Sequence, residues 1–352
     1  MVSRLTSCTR GVLWALSCVQ AAHGPILVLA LASAVVHFPV CDALAEVVAI
    51  SPPGTLVSVR YVAVDRNRPG TVYAASYDPV NPNRRYPGGA IFKSTDGGAT
   101  WVDVGPNLPQ AATFEALAID EHSAIYTCSS GDWGLYRSVD DGATWQRLSD
   151  LFVLGLTPDR SSPGTIYGYG YGVLRSTDGG TTWLDASSGL GEAIPGEYDR
   201  PGVAAFAIDP QNSSTLYVGR WEKGLYKSTD SGMHWNTLNM GLSPSGIVAI
   251  AVDPGNSAVV FAGTAEDGLF KSSDGGSHWS RVDTGQPNPQ FFALAFDKDS
   301  TLFAGVYDHG VRVSRDGGAT WADATPALPS NYIITLVADP GRTGTVYVGS
   351  IQ

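Results

Sequence analysis

The chain has 352 residues, of which 43% are hydrophobic and 16% are charged, and its formal net charge is −11. This composition supplies ample apolar material for a large core, and its 41 glycines and 22 prolines favour many tight turns. The acidic balance argues against a nucleic acid partner, because binding to phosphates requires a basic face.

Residues 1–45 have the pattern of an export signal. Arg4 and Arg10 give a positive start, the apolar run Pro25–Phe38 follows, and the small residues Ala-Leu-Ala offer a cleavage site before Glu46. The run is short for a membrane span, which needs about 20 residues. We therefore expect cleavage, no stable membrane insertion and a secreted or periplasmic protein. An uncleaved membrane anchor is the alternative.

The cysteines give no sign of a disulfide or of a metal site. Cys8, Cys18 and Cys41 all lie in the predicted signal, which leaves Cys128 alone in the remaining chain. A single cysteine in a strand-like segment is typical of a small buried hydrophobic residue. The sequence contains no Cys-x-x-Cys pair, phosphate-binding loop, nucleophile elbow or dinucleotide fingerprint. We expect neither a metal nor a cofactor.

One motif, Ser-x-Asp-x-Gly-x-x-Trp, occurs six times after the predicted signal. The serines are separated by 44, 38, 52, 44 and 42 residues, and the longest gap contains the insertion Gly191–Gly202. A period of this size is typical of β-propellers, in which each blade has four strands. The acidic residues of the six copies are Asp96, Asp140, Asp178, Asp230, Asp274 and Asp316.

The fourth unit shows how one period divides into strands. A mostly apolar segment, Gly202–Pro210, is followed by Ser214–Arg220, Gly224–Ser228 and His234–Leu238, and the motif forms the turn between the last two. The first segment is the most uniformly apolar, as expected for an inner strand that is buried on both faces. The sequence therefore predicts four-stranded antiparallel blades.

A seventh unit begins after the sixth motif, with Tyr332–Pro340 and Gly344–Ser350 in the places of strands one and two. Strands three and four have no counterpart before Gln352. We predict an all-β, seven-bladed β-propeller over residues 46–352, whose seventh blade is either closed by the N-terminal strand Glu46–Ser51 or incomplete because the sequence is truncated at its C-terminus. Closure would remove exposed strand edges, which are aggregation hazards.

The six-fold motif resembles the Asp-box, or BNR, repeat. The family includes sialidases, xyloglucan-degrading glycoside hydrolases, sortilin-type receptors and photosystem II assembly factors. The resemblance implies that the six aspartates have a structural role in a hairpin away from the ligand face. The residue types agree, because Asp and Ser side chains bond to turn backbone and Gly supplies positive φ. A catalytic site needs one asymmetric arrangement, whereas this motif has six equal copies.

The loops between strands two and three differ from blade to blade, and they lie on the face opposite the motif. They hold the two tryptophans that belong neither to the signal nor to a motif. The candidate ligand-binding residues are Tyr77, Arg84, Arg85, Trp133, Tyr169, Arg220, Trp221, Tyr307 and His309. The candidate catalytic carboxylates are Asp132, Glu222, Asp267 and Asp308. Aromatic and acidic side chains together suit a sugar, a protein partner or simple loop packing.

Within the resembling families, no enzyme matches fully. The Arg-Ile-Pro motif of sialidases is absent, and xyloglucanase-like enzymes use a cleft between two propellers, whereas this chain predicts one. Photosystem II assembly factors are single seven-bladed propellers, but their turns are looser. We predict a monomeric, non-catalytic binding or scaffold module for a glycan or protein ligand. The alternative is a glycoside hydrolase of the xyloglucanase or sialidase type.

Overall fold

The fold is described from a computed structural model. It covers residues 46–49, 58–78, 88–109, 113–191, 202–221, 223–242, 246–286, 289–324 and 332–351. These residues form strands and turns without a helix, which confirms the predicted all-β class. The predicted signal, residues 1–45, lies outside the described residues. Within the described part of the chain, no helix is long and apolar enough to cross a membrane.

In the described residues, twenty-seven strands form seven sheets, which are the blades. After β1 (Glu46–Ala49), six sheets each contain four antiparallel strands in chain order. Blades one to three are β2 (Ser58–Val64), β3 (Val72–Asp78), β4 (Gly88–Ser94), β5 (Val102–Asp103); β6 (Phe114–Ile119), β7 (Ile125–Ser129), β8 (Gly134–Ser138), β9 (Gln146–Ser149); and β10 (Gly155–Pro158), β11 (Ile166–Tyr169), β12 (Val173–Ser176), β13 (Leu184–Asp185). Blades four to six are β14 (Ala205–Ile208), β15 (Leu216–Arg220), β16 (Gly224–Ser228), β17 (Asn236–Thr237); β18 (Ile247–Val252), β19 (Val260–Thr264), β20 (Leu269–Ser272), β21 (Ser280–Arg281); and β22 (Phe291–Phe296), β23 (Leu302–Val306), β24 (Gly310–Ser314), β25 (Ala322–Asp323).

The seventh blade contains β26 (Tyr332–Ala338), β27 (Thr345–Ile351) and β1, in the order β26-β27-β1. β1 pairs with β27 in parallel, from Glu46 opposite Thr345 to Ala49 opposite Val348. The predicted closure by the N-terminal strand is confirmed for these four residues. The parallel direction departs from the antiparallel expectation. It follows from the connection, because β1 has to deliver the chain to the face where β2 begins.

Large side chains on the second strand of every blade fill the space between blades. One aromatic residue per blade occupies the same position and is at most 1% exposed: Tyr73, Tyr126, Tyr167, Tyr217, Phe261, Phe303 and Tyr347. Basic residues of the third strand cover several of these rings, and Lys227 Nζ lies 5.2 Å from the ring centre of Tyr217. The same ammonium donates to Gly275 O of the next blade at 2.8 Å. This interface therefore combines buried aromatic area with a hydrogen bond between blades.

The six motifs form the turns between strands three and four. In every copy the serine hydroxyl lies 2.7–2.9 Å from one oxygen of the aspartate carboxylate. The same oxygen accepts the backbone N–H four residues after the aspartate, at 2.8–2.9 Å. In the first copy, the hydrogen bonds donated by Thr100 hold the pKa of Asp96 at about 2. These carboxylates are thus bonded within their own turns.

A second aspartate occurs once per blade, at the end of each inner strand: Asp65, Asp120, Asp159, Asp209, Asp253, Asp297 and Asp339. Its carboxylate accepts the N–H two residues further on, at 2.8–3.0 Å in all seven blades. This short turn begins the hairpin to strand two. Because it repeats in every blade, it provides a fixed point from which equivalent positions can be counted.

Candidate functional site

The start of each inner strand presents one side chain to the centre of the propeller. In blades one, two, five, six and seven, the pairing register shifts by one residue there, as in a β-bulge. A bulge leaves one residue out of the ladder and redirects its side chain. In blades three and four, Leu154 and Ala204 occupy the same place. We call these seven residues the channel ring: Arg60, Glu115, Leu154, Ala204, Val248, Phe292 and Ile334.

The channel ring surrounds the mouth of a central cavity of about 880 Å³. All seven ring residues line it, together with the residues that follow them on the inner strands. A cavity of this size, lined mainly by apolar side chains with a few polar groups, is typical of ligand sites. The channel ring lies towards the face of the strand two–three loops, opposite the motif turns, because every inner strand begins at that face.

The two charged members of the ring lie on neighbouring blades. Arg60 Nη1 is 3.6 Å from Glu115 Oε2, and the hydroxyl of Thr113 donates to Glu115 Oε1 at 2.6 Å. The Glu115 side chain is 15% exposed, whereas that of Arg60 is 38% exposed. The guanidinium is therefore the more accessible charge at the mouth. The remaining five ring residues are apolar, so the mouth has one polar side.

Aromatic residues lie on both sides of this ion pair, in blades six and seven and in blades three and four. The ring of Phe292 lies 5.2 Å from that of Tyr332, and Tyr307 meets Tyr332 edge-on at 5.1 Å. In blades three and four, Tyr169 stacks on Phe206 at 5.3 Å, and both line the cavity. Two of the predicted ligand-binding residues, Tyr169 and Tyr307, therefore lie in or beside aromatic groups at the mouth.

The two loop tryptophans occupy different positions. Trp221 is partly buried and lines the cavity, where its ring packs over Gly246; a Cβ at Gly246 would lie 3.3 Å from it. Trp133 is 62% exposed, and its ring centre lies 5.1 Å from that of Phe152. Trp133 has a φ of 54°, which is uncommon for a bulky residue and often marks a functional position. Trp133 is therefore accessible to a ligand at the edge of the loop face, which we call the outer rim.

Asp132 is held by its neighbours. The hydroxyl of Tyr136 donates to its carboxylate, and Arg147 Nε lies 3.4 Å from the same oxygen. Burial alone would raise the pKa of Asp132, but the hydrogen bond from Tyr136 and the charge of Arg147 outweigh it, so the pKa lies below its usual value. An ionised carboxylate suits structural pairing better than proton donation to a leaving group.

The other described carboxylates among the candidates stand apart from the cavity. Asp308 is exposed in a tight turn with a φ of 60°, and Asp267 donates its backbone N–H to the Thr264 hydroxyl at 2.8 Å. His309 Nδ1 lies 2.8 Å from Tyr307 O in the same turn as Asp308. Asp132, Asp267 and Asp308 are absent from the described cavity lining, which contains a single carboxylate, Glu115.

Arg220, a candidate ligand-binding residue, is buried. It is the last residue of β15, at the end of the predicted strand Ser214–Arg220, and it is 2% exposed. Its Nε donates to Gly202 O at 2.9 Å, and its Nη1 donates to Leu190 O. These bonds satisfy a buried guanidinium and tie down both ends of the connection between β13 and β14. The Arg220 guanidinium therefore bonds backbone carbonyls within the protein.

Four candidates cannot be placed. Arg84, Arg85 and Glu222 lie outside the described residues, as does the side chain of Tyr77, whose backbone ends β3. Asp120, Glu121 and His122 bring potential metal-ligating atoms within 4.8 Å of one another. Asp120, however, accepts hydrogen bonds from the backbone of His122 and Ala124. We assign no metal to this turn.

The sequence analysis missed Arg60 and Glu115, although a signal for them exists. Every channel ring residue stands five positions before the aspartate that ends its inner strand. Counting back from these aspartates would have selected the ring, and would have shown that two of its seven members are charged. Sequence variation is most visible in the loops, and the mostly apolar inner strands hide these two charged positions.

Comparison with known proteins gives partial matches over a common architecture. No family model matches the chain. The xyloglucanase Xgh74A of Acetivibrio thermocellus is 28% identical over 196 residues, which are 47% of this chain and 20% of that enzyme. A xyloglucanase of Paenibacillus sp is 30% identical over 199 residues, 49% of this chain and 17% of that enzyme. The chain thus spans about a fifth of the length of these relatives.

Two solved structures resemble the fold over most of the chain. YCF48 bound to D1 peptide has a TM-score of 0.60 and 15% identity, and the match covers 86% of this chain and 94% of that one. The extracellular domain of the putative one component system BT4673 from B. thetaiotaomicron has a TM-score of 0.62 and 15% identity, over 86% of this chain and 38% of that one. At this identity the similarity establishes the seven-bladed propeller fold alone.

Proposed function

We propose that the protein is a non-catalytic binding or scaffold module, exported from the cytoplasm, that engages a protein or glycan ligand with its loop face. One observation carries this proposal. The described cavity lining contains one carboxylate, Glu115, and this group is bonded to Thr113 and lies beside Arg60. Glycoside hydrolysis normally requires two carboxylates on either side of the bond that breaks.

The outer rim supplies the contact surface in this proposal. Three exposed aromatic residues stand on the loop face, with exposures of 62% for Trp133, 47% for Tyr171 and 44% for Tyr307. Large aromatic side chains contribute much of the binding energy at protein interfaces, and they also stack on sugar rings. Two structures that share the fold support this proposal. YCF48 is bound to a peptide, which supports a binding role, and the BT4673 domain is extracellular, which supports an extracytoplasmic location.

The alternative function is a glycoside hydrolase, and sequence similarity to two xyloglucanases favours it. Its acid and base would come from the loop carboxylates Asp132, Glu222, Asp267 and Asp308. A separate structural role is proposed for the six motif aspartates, which are bonded within their turns at the opposite face.

The two functions separate in one experiment on residues 46–352. The purified chain is incubated with xyloglucan and other polysaccharides, and released reducing ends are measured; in parallel, peptide and glycan arrays are screened for binding. We expect no product, and binding that Trp133→Ala or Tyr307→Ala weakens while the circular dichroism stays unchanged. Product release by the unmodified chain that is lost on changing Asp132, Glu222, Asp267 or Asp308 to Ala would establish the hydrolase instead. Binding that survives both rim substitutions would refute the rim as the contact surface.

A further inference from the structure

Below the channel ring, aliphatic side chains dominate the described cavity wall. In blades four to seven, the next two positions of the inner strand also line the cavity, for example Ala249 and Ile250 in blade five. Tyr61, Thr157 and Thr335 add polar side chains to this wall. Three successive strand residues span about 10 Å, which gives the depth of the wall in these blades. The cavity therefore combines mainly apolar side chains with the ion pair of the channel ring.

Such walls restrict what can enter. A peptide backbone or a sugar ring carries several polar groups, and each one buried without a partner costs about 1–3 kcal/mol. The described lining offers few hydroxyls at this depth, those of Tyr61, Thr157 and Thr335, and the hydroxyl of Tyr61 already donates to Leu154 O at 3.3 Å. An alkyl chain has no polar groups to satisfy, so it matches the interior in a way that sugars and peptides do not.

The mouth determines which end of such a molecule stays outside. The Glu115 carboxylate is mostly buried and bonded to Thr113, whereas the Arg60 guanidinium is 38% exposed. A guanidinium has five N–H donors, and can therefore bond Glu115 and a second carboxylate together. A cationic head group would meet the same guanidinium and be repelled.

We propose that the central cavity binds a single-chain carboxylate amphiphile of the fatty acid class. The alkyl chain lies within the apolar walls, and the carboxylate accepts hydrogen bonds from Arg60 at the mouth. This site is independent of the rim aromatics, so it goes beyond the proposed binding function. Because Trp221 lies in the wall of the cavity, its fluorescence can report whether the cavity is occupied.

Dodecanoate is the probe for residues 46–352, below its micelle concentration. Calorimetry measures its affinity, and quenching of tryptophan fluorescence by 12-bromododecanoate reports its position. We expect dodecanoate to bind with dodecylamine at least tenfold weaker. The Arg60→Gln variant should lower the affinity for dodecanoate about tenfold, which is the usual scale of a charge-assisted hydrogen bond. The same variant should leave the affinity for dodecanol unchanged. Trp221→Phe should remove most of the quenching.

Blocking variants test the location. Ala204 belongs to the channel ring, so Ala204→Trp should fill the mouth and abolish binding, while Ala319→Trp on an exposed motif turn is the matched control. If Ala204→Trp does not fold, Val248→Phe takes its place. Absence of dodecanoate binding, binding unaffected by the blocking variant, or equal binding of dodecylamine would overturn the proposal. Loss of binding in Trp133→Ala would place the amphiphile on the rim and would equally overturn it.

Discussion

Ring closure by β1 leads to a quantitative prediction. Val47 and Val48 are each 1% exposed, and they point to opposite sides of the strand. Val47 packs against blade six, in a cluster with Val311 and Val313, whereas Val48 packs against blade one, in a cluster with Val59. Changing one Val to Ala removes about 1.6 kcal/mol of transfer free energy. The space left by the missing methyl groups raises the loss of unfolding free energy to about 2 kcal/mol.

The two side chains contact different blades, but they are adjacent in one short strand, so simple addition gives only an upper value. The double variant Val47→Ala/Val48→Ala should lose more than either single variant and up to about 4 kcal/mol of unfolding free energy, a large part of the 5–15 kcal/mol typical of folded domains. Urea unfolding of residues 46–352, followed by fluorescence, measures the loss. Val102→Ala is the matched control, because Val102 is 66% exposed and should lose less than about 0.5 kcal/mol. If the double variant were no less stable than this control, β1 would not belong to the folded ring.

Three further predictions concern the motif, the thiol and the rim. Thr100 holds the pKa of Asp96 at about 2, below the unfolded value of about 3.9, so this carboxylate stabilises the fold above pH 4 and the effect is lost as the pH falls towards 2. Urea unfolding should show Asp96→Asn less stable than wild type at pH 7, with the difference shrinking towards pH 2; a constant difference would contradict this. Burial raises the pKa of Cys128 to about 11, so iodoacetamide at pH 8 should label native residues 46–352 far more slowly than the urea-unfolded chain, and equal rates would refute it. Trp133→Gly should be about 1 kcal/mol more stable than Trp133→Ala, because only glycine adopts the left-handed φ freely, and the reverse order in thermal unfolding would show that φ is not strained.

Most of the fold could be predicted from the period of the motif. A spacing near 44 residues predicted four strands per blade, and the seventh unit predicted a further blade with two strands. The direction of β1 needed more than pattern, because four residues such as Glu46–Ala49 pair equally well in either direction. Only the position of the start of β2 decides between them, and that is a property of the assembled ring.

The candidate site was less accessible from sequence, for two physical reasons. Loop variation identified Trp221 and Tyr169, which line the cavity, but it also selected Arg220, whose position at the end of a strand does not reveal that its guanidinium is buried. Arg60 and Glu115 reach the channel because the ladder slips by one residue beside them. Strict alternation would not predict that orientation, since a one-residue slip changes which face a side chain occupies.

The ion pair of the channel ring is difficult to explain by stability alone. A partly exposed pair contributes at most about 1 kcal/mol, and the five other blades place apolar residues at the same position. The aspartate turn in all seven blades, and the bulge in five of them, keep the backbone similar whichever side chain stands at the ring position. A ring substitution therefore changes the chemistry of the mouth without breaking a pair of strands. Arg60 and Glu115 are the two positions at which this chain departs from an apolar ring, and they are where ligand selectivity is expected to reside.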